Sequence, residues 1–305
     1  MKNLDVLYDE FLDYMLAEKN AADLTIDSYK RDYKVFVEYL ESRRMAKSLD
    51  MLTTPILRNY VSFMKNHKNY SSTTINRKIN SLRSFAKFLV ISEYMDTNFM
   101  DRITAPKKEK KLPKVMTEQE LDKFLNVIMQ YSRGNGLRDR AIFHIYASCG
   151  IRRQELLNLN IENIDLGTNV IKVIKGKGAR DRIIPLFEPT TSYIWEYLMT
   201  RLPVKDNTEP LFLSENGNRL SITAVQQLLR RYMRIAGYDD RGFIIHTLRH
   251  TYATLILKNG GDLFQIKELL GHEDLNTTAL YLQVTADQLR KTSNLHPLAK
   301  KPDGT

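Results

Sequence analysis

The chain has 305 residues, enough for about two domains, and 43% of them are hydrophobic, which is ordinary for a globular protein. No apolar run reaches the roughly 18 residues of a membrane span, and the single cysteine, Cys149, excludes an internal disulfide framework and a cysteine-based zinc site. The net charge of +10, with a pI of about 9.4, favours a polyanionic partner. These properties indicate a cytoplasmic protein without a membrane partner.

The charge is distributed unevenly along the N-terminal third. Residues 1–29 hold two Lys against seven Asp and Glu, a net charge of −5, and predict an acidic amphipathic helix rather than a signal peptide. Residues 43–92 hold ten Lys and Arg against one acid, Asp50, a net charge of +9. A basic solvated surface is the ordinary explanation of such a run, but a bias this strong favours nucleic acid as the binding partner.

Two helices are predicted in this region. Residues 25–43 show apolar and aromatic side chains at helical spacing, which is typical of core packing. Residues 71–90 begin with hydroxyl residues that can cap a helix, and an apolar stripe follows from Ile75 to Leu89. Another face of this second helix is basic and suits phosphate contacts. The candidate DNA-contacting residues are Arg77, Lys78, Arg83 and Lys87.

A proline- and lysine-rich segment separates two domains. Residues 104–114 contain two prolines, five lysines and one glutamate, without apolar periodicity, and therefore predict an extended basic linker. A new helix is expected at Thr117, where "TEQE" matches a capping box. The predicted division is an N-terminal helical domain over residues 1–104, a linker over 105–115 and a second domain over 116–305.

The second domain is predicted to be mainly helical with a small β-insertion. Residues 138–150 and 152–160 read as helices that meet at a glycine-containing turn. Residues 169–186 are rich in β-branched residues on both sides of Gly176-Lys177-Gly178, which predicts a hairpin. Helical periodicity returns from Ile222 onward. The expected fold class is mainly α, with a small β-sheet or hairpin in the C-terminal domain.

Two short motifs pair an arginine with a group three residues away. Arg152 and Glu155 would share a helical face, where a guanidinium fork suits phosphate oxygens and the carboxylate can hold it. Such a pair on its own is most often a surface salt bridge. His246 and Arg249 would share one turn at a helix start, so that the imidazole can bind a phosphate or move a proton beside the arginine. His250 points away from Arg249 and is expected to be structural.

Three further residues are candidates for the chemistry. Lys177 lies between glycines at the hairpin tip and could protonate a departing oxygen, although an isolated Gly-Lys-Gly is usually an exposed turn, and Lys175 is its nearest competitor. His272 follows a helix-ending Gly271, and Tyr281 comes nine residues later among leucines, where a tyrosine is ordinarily core. No acidic or cysteine ligand accompanies the histidines at zinc-ligand spacing, so a metal is not expected.

The order of these residues resembles the tyrosine recombinase, or phage integrase, family over nearly the whole chain. The family often has Thr-Gly before Leu/Met-Arg, where this chain has Cys149-Gly150-Ile151-Arg152. The layout is closest to compact two-domain Xer-type and transposon-encoded recombinases. The resemblance implies a helical, SAM-like core-binding domain that clamps DNA, followed by an integrase-type catalytic domain with a C-terminal tail.

The resemblance also implies a chemistry that needs neither metal, ATP nor another cofactor. A tyrosine would attack a DNA phosphodiester and form a 3′-phosphotyrosyl link, two arginines would bind the non-bridging oxygens, and a lysine would protonate the departing 5′ oxygen. Two histidines would hold the phosphate and move protons. The residues carried over to these roles are Tyr281 as nucleophile, Arg152, Arg249, Lys177, His246 and His272.

The implied partner is a double-stranded DNA recombination site. A tetramer of identical chains would exchange strands between two duplexes through a Holliday junction. A related recombinase or an accessory factor could join this complex. Movement of a mobile element is one process that such an exchange could serve. A type IB topoisomerase, a non-catalytic helix-turn-helix regulator and a metal-dependent nuclease are the alternatives. The regulator would use residues 261–282 as its DNA-binding motif.

Overall fold

The computed structural model describes residues 2–107, 113–131, 135–174, 181–203 and 209–272. The chain divides into two compact units, Met1–Lys111 and Leu112–Thr305, with the division inside the predicted linker segment. The predicted fold class is confirmed, because the described elements are mainly helical and include one small antiparallel sheet in the second unit. Within the described ranges, no helix is both long and apolar enough to cross a membrane.

The N-terminal unit consists, in its described part, of four α-helices. Short polar side chains begin two of them, because Asn3 accepts a hydrogen bond from the backbone N–H of Asp5, and Ser71 accepts one from Thr74. The helices are α1 (Leu4–Ala17), α2 (Asp23–Ser42), α3 (Thr54–Asn66) and α4 (Ser72–Ile91).

Helix α4 packs against the other three helices of this unit. Its predicted apolar stripe is confirmed, since Ile75, Ile79, Leu82 and Leu89 are all buried. Burying a side chain of this size stabilises a fold by about 1.5–3 kcal/mol relative to leaving it in water. The hydrophobic stripe therefore fixes the rotation of α4 about its axis, and with it the face that α4 presents to solvent.

The second unit contains seven described α-helices around its own core. The predicted capping box is present at the first, where Thr117 and Glu120 exchange backbone and side-chain hydrogen bonds. The helices are α5 (Glu118–Tyr131), α6 (Gly136–Cys149), α7 (Arg153–Asn158), α8 (Thr190–Thr200), α9 (Ile222–Ile235), α10 (Ile245–Lys258) and α11 (Leu263–Leu270).

Helix α6 is the central element of this unit. It packs against α5, α8 and α10, and Ala141, Ile142, Phe143 and Tyr146 are completely buried on several of its sides. A helix that is surrounded in this way is buried all round rather than amphipathic. Its C-terminal end is therefore held rigidly where the chain turns into α7, which is the region of the predicted Gly-x-Arg motif.

The sheet has three short antiparallel strands in sequence order, β1 (Ile164–Asp165), β2 (Val170–Val173) and β3 (Arg182–Pro185). Strands β2 and β3 form the predicted hairpin, with Val170 opposite Pro185 and Val173 opposite Arg182. No separate sequence pattern predicts β1, which has only two residues. The hairpin tip, residues 175–180, lies outside the described residues and includes Lys177.

Candidate active site

Arg152 lies at the turn between α6 and α7. Gly150 ends α6 in the left-handed conformation, with φ of 57°, and Arg152 then takes an extended conformation as the N-cap of α7. Arg152 Nη1 donates to Glu155 Oε1 at 2.8 Å, and the Arg152 backbone N–H donates to Glu155 Oε2 at 2.8 Å. The predicted pairing is present, but Arg152 precedes the helix instead of lying within it. Glu155 therefore caps α7 and orients the guanidinium at the same time.

Arg249 lies on α10 and its guanidinium is buried. Only 3% of the residue is exposed. Its Nη1 donates to the Gly150 carbonyl at 2.6 Å and its Nη2 to the Leu270 carbonyl at 2.7 Å. Both carbonyls are at helix C-termini, where the partial negative charge of the helix dipole stabilises a cation. The structure thus places the second predicted arginine beside the first, across the ends of α6 and α11.

A third arginine, Arg182, joins this cluster and was not singled out from the sequence. It is the first residue of β3, and its side chain is 8% exposed. Its two Nη atoms donate to the two carboxylate oxygens of Glu155 at 2.9 and 2.7 Å, and its Nε donates to the Leu269 carbonyl at 2.9 Å. One sequence signal was available. Arg182 comes two residues before the buried Ile184, and residues two apart in a strand lie on the same face, so Arg182 belongs to the inner face of β3.

The C-terminal end of α11 binds all three guanidinium groups. Arg182, Arg249 and Arg152 donate to the carbonyls of three consecutive residues, Leu269, Leu270 and Gly271 respectively, at 2.9, 2.7 and 2.8 Å. Gly271 has a left-handed φ of 63°, which turns the chain away at this point. The last carbonyls of a helix have no partner within the helix, and here arginines supply the partners.

Glu155 is the carboxylate that the arginines share. Burial alone would raise its pKa, but the hydrogen bonds and charge of Arg182, followed by those of Arg152, outweigh that effect and hold the pKa of Glu155 at about 2. The carboxylate is therefore ionised at neutral pH. The network of Arg152, Arg182, Arg249 and Glu155 carries a formal charge of +2, and an excess of positive charge of this kind attracts an anion.

The predicted histidines lie beside these guanidinium groups. Burial, followed by the charge of Arg249, lowers the pKa of His246 and brings the pKa of His272 to about 4. His250 also has its pKa lowered to about 4, by burial and then by its neighbour His246, whose ring centroid is 6.1 Å away. All three imidazoles are therefore neutral at pH 7, and a neutral imidazole can accept a proton.

The described residues bring together four of the predicted site residues, Arg152, Arg249, His246 and His272. Tyr281 and Lys177, the predicted nucleophile and acid, lie outside the described residues, so their roles stay predictions. Among the described residues, no group of three His, Cys, Asp or Glu side chains is arranged to hold a metal ion.

The four basic candidates for DNA contact on α4 differ in exposure. Arg77 is about half exposed, although its Nη1 lies 2.5 Å from Asp32 Oδ2, and Lys87 is exposed. Arg83 is partly buried and donates to the Ile103 carbonyl at 2.8 Å. The prediction for Lys78 does not hold in this structure, because its side chain is 5% exposed and its Nζ lies 2.9 Å from Asp32 Oδ1. Asp32, on α2, pairs with Lys78 and holds its ammonium group inside the unit.

Comparisons with known proteins show the family to which this chain belongs. The profile of the phage integrase family matches residues 114–288, and that of the phage integrase N-terminal SAM-like domain matches residues 8–93. Tyrosine recombinase XerD of Staphylococcus epidermidis is 32% identical over 300 residues, which cover 97% of this chain and 100% of that relative. Tyrosine recombinase XerC of Natranaerobius thermophilus is 32% identical, covering 95% of this chain and 98% of that relative.

A solved structure of XerH site-specific recombinase, bound to a palindromic difH substrate in a post-cleavage complex, is also similar. It aligns with a TM-score of 0.74 at 26% identity, over 91% of this chain and 81% of that chain. The chain belongs to the phage integrase family. It is a tyrosine-type site-specific DNA recombinase, similar to the Xer relatives, and the topoisomerase and regulator alternatives are not favoured.

Proposed function

We propose that Tyr281 is the nucleophile with which this recombinase cuts DNA, and that the arginine cluster binds the scissile phosphate. The phenolic oxygen of Tyr281 attacks phosphorus and the bond from phosphorus to the 5′ oxygen breaks. The products are a 3′-phosphotyrosyl link and a free 5′-hydroxyl, and the reverse attack by a 5′-hydroxyl of a partner duplex completes the exchange. The single observation that supports this most strongly is the convergence of Arg152 and Arg249 beside His246 and His272.

The charge of the site supports phosphate as its ligand. A phosphodiester carries one negative charge, and a second develops on its non-bridging oxygens as the nucleophile attacks. Arg152 and Arg249 neutralise that charge from positions that protein hydrogen bonds already fix, so little reorganisation is needed during the reaction. Removing one preorganised donor of this kind typically slows a reaction by about 10²–10³-fold.

The neutral histidines supply an acceptor for the tyrosine proton. His246 and His272 have lowered pKa values and are therefore unprotonated at pH 7 before DNA binds. Lys177 gives its proton to the departing 5′ oxygen, so the proton lost at the nucleophile and the proton gained by the leaving group balance. Because phosphotyrosine conserves the energy of the broken bond, rejoining needs no ATP.

The substrate in this proposal is a duplex recombination site. The N-terminal unit binds its backbone through the basic face of α4, with Arg77, Arg83 and Lys87 as the contacting residues, while Lys78 maintains the helix through Asp32. Four copies act on two duplexes, with or without a related recombinase or accessory factor. The reaction takes place on DNA in the bacterial cytoplasm, as expected for relatives of the Xer type.

A nicked suicide substrate, whose short 5′-hydroxyl fragment diffuses away after cleavage, tests the assignment of the nucleophile. The wild-type protein is expected to form a covalent adduct with the DNA in the presence of EDTA. Tyr281→Phe is expected to bind the same DNA with unchanged affinity and to form no adduct. Tyr252→Phe is the matched control, because its ring abuts Gly150 in the site, and it should retain the adduct. An adduct formed by Tyr281→Phe removes Tyr281 from the role.

A further inference from the structure

Arg182 links the start of α7, where Glu155 binds Arg152, to the end of α11, which precedes His272. Its guanidinium bridges Glu155, on α7, and the Leu269 carbonyl, at the end of α11. Building on the proposed function, we infer that Arg182 is a positioning residue for DNA cleavage. It holds Glu155 so that Arg152 keeps both its orientation and its charge for the phosphate, and it fixes the end of α11, from which His272 follows.

The first part of the argument concerns the carboxylate. Each oxygen of Glu155 accepts one hydrogen bond from Arg182, at 2.9 and 2.7 Å, and one from Arg152, at 2.8 Å from Nη1 and 2.8 Å from the backbone N–H. Without Arg182, the full charge of Glu155 would act on Arg152 alone. Arg182 therefore orients Glu155 and also limits how far it neutralises Arg152.

The second part concerns the end of α11. The Leu269 carbonyl accepts from Arg182, and the next two carbonyls accept from Arg249 and Arg152. The side chain of Arg182 also packs on Gly271, because a Cβ built at Gly271 would lie 3.1 Å from Arg182 Cδ. Arg182 thus sets the distance between the turn that precedes His272 and the phosphate-binding guanidinium groups.

Only an arginine can make this set of contacts. The three bonds use Nε and both Nη atoms, which lie in one plane at fixed angles. A lysine offers a single ammonium and cannot span both carboxylate oxygens and a carbonyl with the same geometry. Arg182→Lys therefore keeps the positive charge and loses the geometry, which makes it the informative substitution.

The matched control is Arg138, which lies in the same unit outside the site. Its side chain is equally buried, it donates twice to the carboxylate of Asp139, and its Nη1 donates to the Leu213 carbonyl at 2.9 Å. Nε and Nη2 of Arg138 both donate to one oxygen, Asp139 Oδ1, so Arg138→Lys breaks a buried two-bond ion pair and a carbonyl contact, as Arg182→Lys does. A general loss of stability should affect both variants, whereas an effect on positioning should appear only in Arg182→Lys.

The experiment measures the rate of adduct formation in a single turnover at saturating DNA, on a suicide substrate with an ordinary scissile phosphate. Arg182→Lys is expected to slow this rate by about 10²-fold, the size of effect that a misplacement of about 1 Å produces. Its half-saturating DNA concentration should stay within about twofold of wild type. Arg138→Lys should lower the melting temperature and leave the saturating rate within about twofold.

A second substrate with a neutral methylphosphonate at the scissile position separates positioning from misfolding. A neutral linkage needs less charge from Arg152, so the ratio of wild-type to Arg182→Lys rates should fall to below about tenfold. This comparison does not depend on the fraction of folded variant, because both rates come from the same preparation. An equal ratio on both substrates, or a saturating rate of Arg182→Lys that equals wild type, would overturn the inference. Failure of the wild-type protein to form any adduct would instead count against the proposed function.

Discussion

Gly150 has two structural constraints at one residue. Its φ of 57° is in the left-handed region, and a Cβ built there would lie 2.3 Å from Tyr252 Cδ1. Its carbonyl also accepts from Arg249 at 2.6 Å. A substitution at Gly150 would therefore disturb the fold and the second guanidinium together, which gives a physical reason for glycine in the Gly-x-Arg motif.

Gly150→Ala is expected to lower the free energy of unfolding by about 3 kcal/mol, because the left-handed strain of an L-residue adds to the clash with Tyr252. Gly237→Ala is the control, since Gly237 also has a positive φ, of 77°, but nothing lies within 4 Å of its built Cβ. It should cost only about 1 kcal/mol. Denaturant unfolding of both variants measures the difference. Equal losses would show that the Tyr252 contact contributes nothing.

The histidine cluster makes a prediction about titration. In the DNA-free protein, His250 and His272 should titrate near pH 4, and His246 below its ordinary value of 6.5. Burial and neighbouring arginines disfavour the charged form, so between pH 6.5 and 4 the unfolded chain binds more protons and stability falls as pH falls. Imidazole resonances followed by NMR between pH 3.5 and 8 provide the measurement. Ordinary midpoints near 6.5 for all three would contradict the described geometry.

At the scale of single elements, α4 shows how one helix divides its basic residues between buried and exposed positions. Lys78 is buried and paired with Asp32, whereas Lys87, about two and a half turns further along α4, is exposed. The sequence analysis assigned Lys78 to the basic face because helical periodicity locates a residue at the border of two faces only approximately. The carboxylate that buries it lies 46 residues earlier, so its partner is a tertiary property.

Lys87→Ala should weaken DNA binding and reduce the slope of log affinity against log salt by about one, with an unchanged melting temperature. Lys78→Met should instead change stability and not DNA binding. It should leave the salt slope unchanged and destabilise the N-terminal unit by roughly 3 kcal/mol, because Asp32 loses a buried partner. Filter binding over a range of salt concentrations, together with thermal melting, distinguishes them. A reduced slope with normal melting for Lys78→Met would contradict its buried position.

Local helical periodicity predicted part of the site, and contacts between distant elements supplied the rest. Arg152 and Glu155, and His246 and Arg249, are three residues apart, so local periodicity was enough to pair them. Arg182 was missed because its partners, Glu155 and Leu269, are 27 and 87 residues away, and because β3 has only four residues in which to show alternation. Contacts between distant elements leave little trace in local sequence.

At the scale of the whole molecule, the two units differ in the charged residues that they carry. The N-terminal unit combines an acidic first helix with a strongly basic segment, and the second unit carries the described arginines and histidines of the site. The helical fold of each unit followed from its own periodicity and caps. The C-terminal tail, residues 286–301, lies outside the described residues, and we propose that each copy contacts its neighbour in the tetramer through this tail.

Truncation after Ser293 tests that proposal. The shortened protein should bind a single recombination site with unchanged affinity but lose cooperative assembly of two sites, because each copy would lack the segment that contacts its neighbour. Native gel titration with one-site and two-site DNA measures both quantities. Cooperativity equal to that of the full-length chain would exclude the tail as the contact.

The central claim is that one tyrosine hydroxyl reacts at a phosphate held by the arginine cluster. The most direct test uses the covalent adduct formed on the suicide substrate. The adduct is digested with protease and nuclease, and mass spectrometry then identifies the peptide that remains attached to a nucleotide. The account predicts a nucleotide joined through its 3′-phosphate to Tyr281, with a free 5′-hydroxyl on the released strand. A nucleotide attached to any other residue, or joined through a 5′-phosphate, would contradict it.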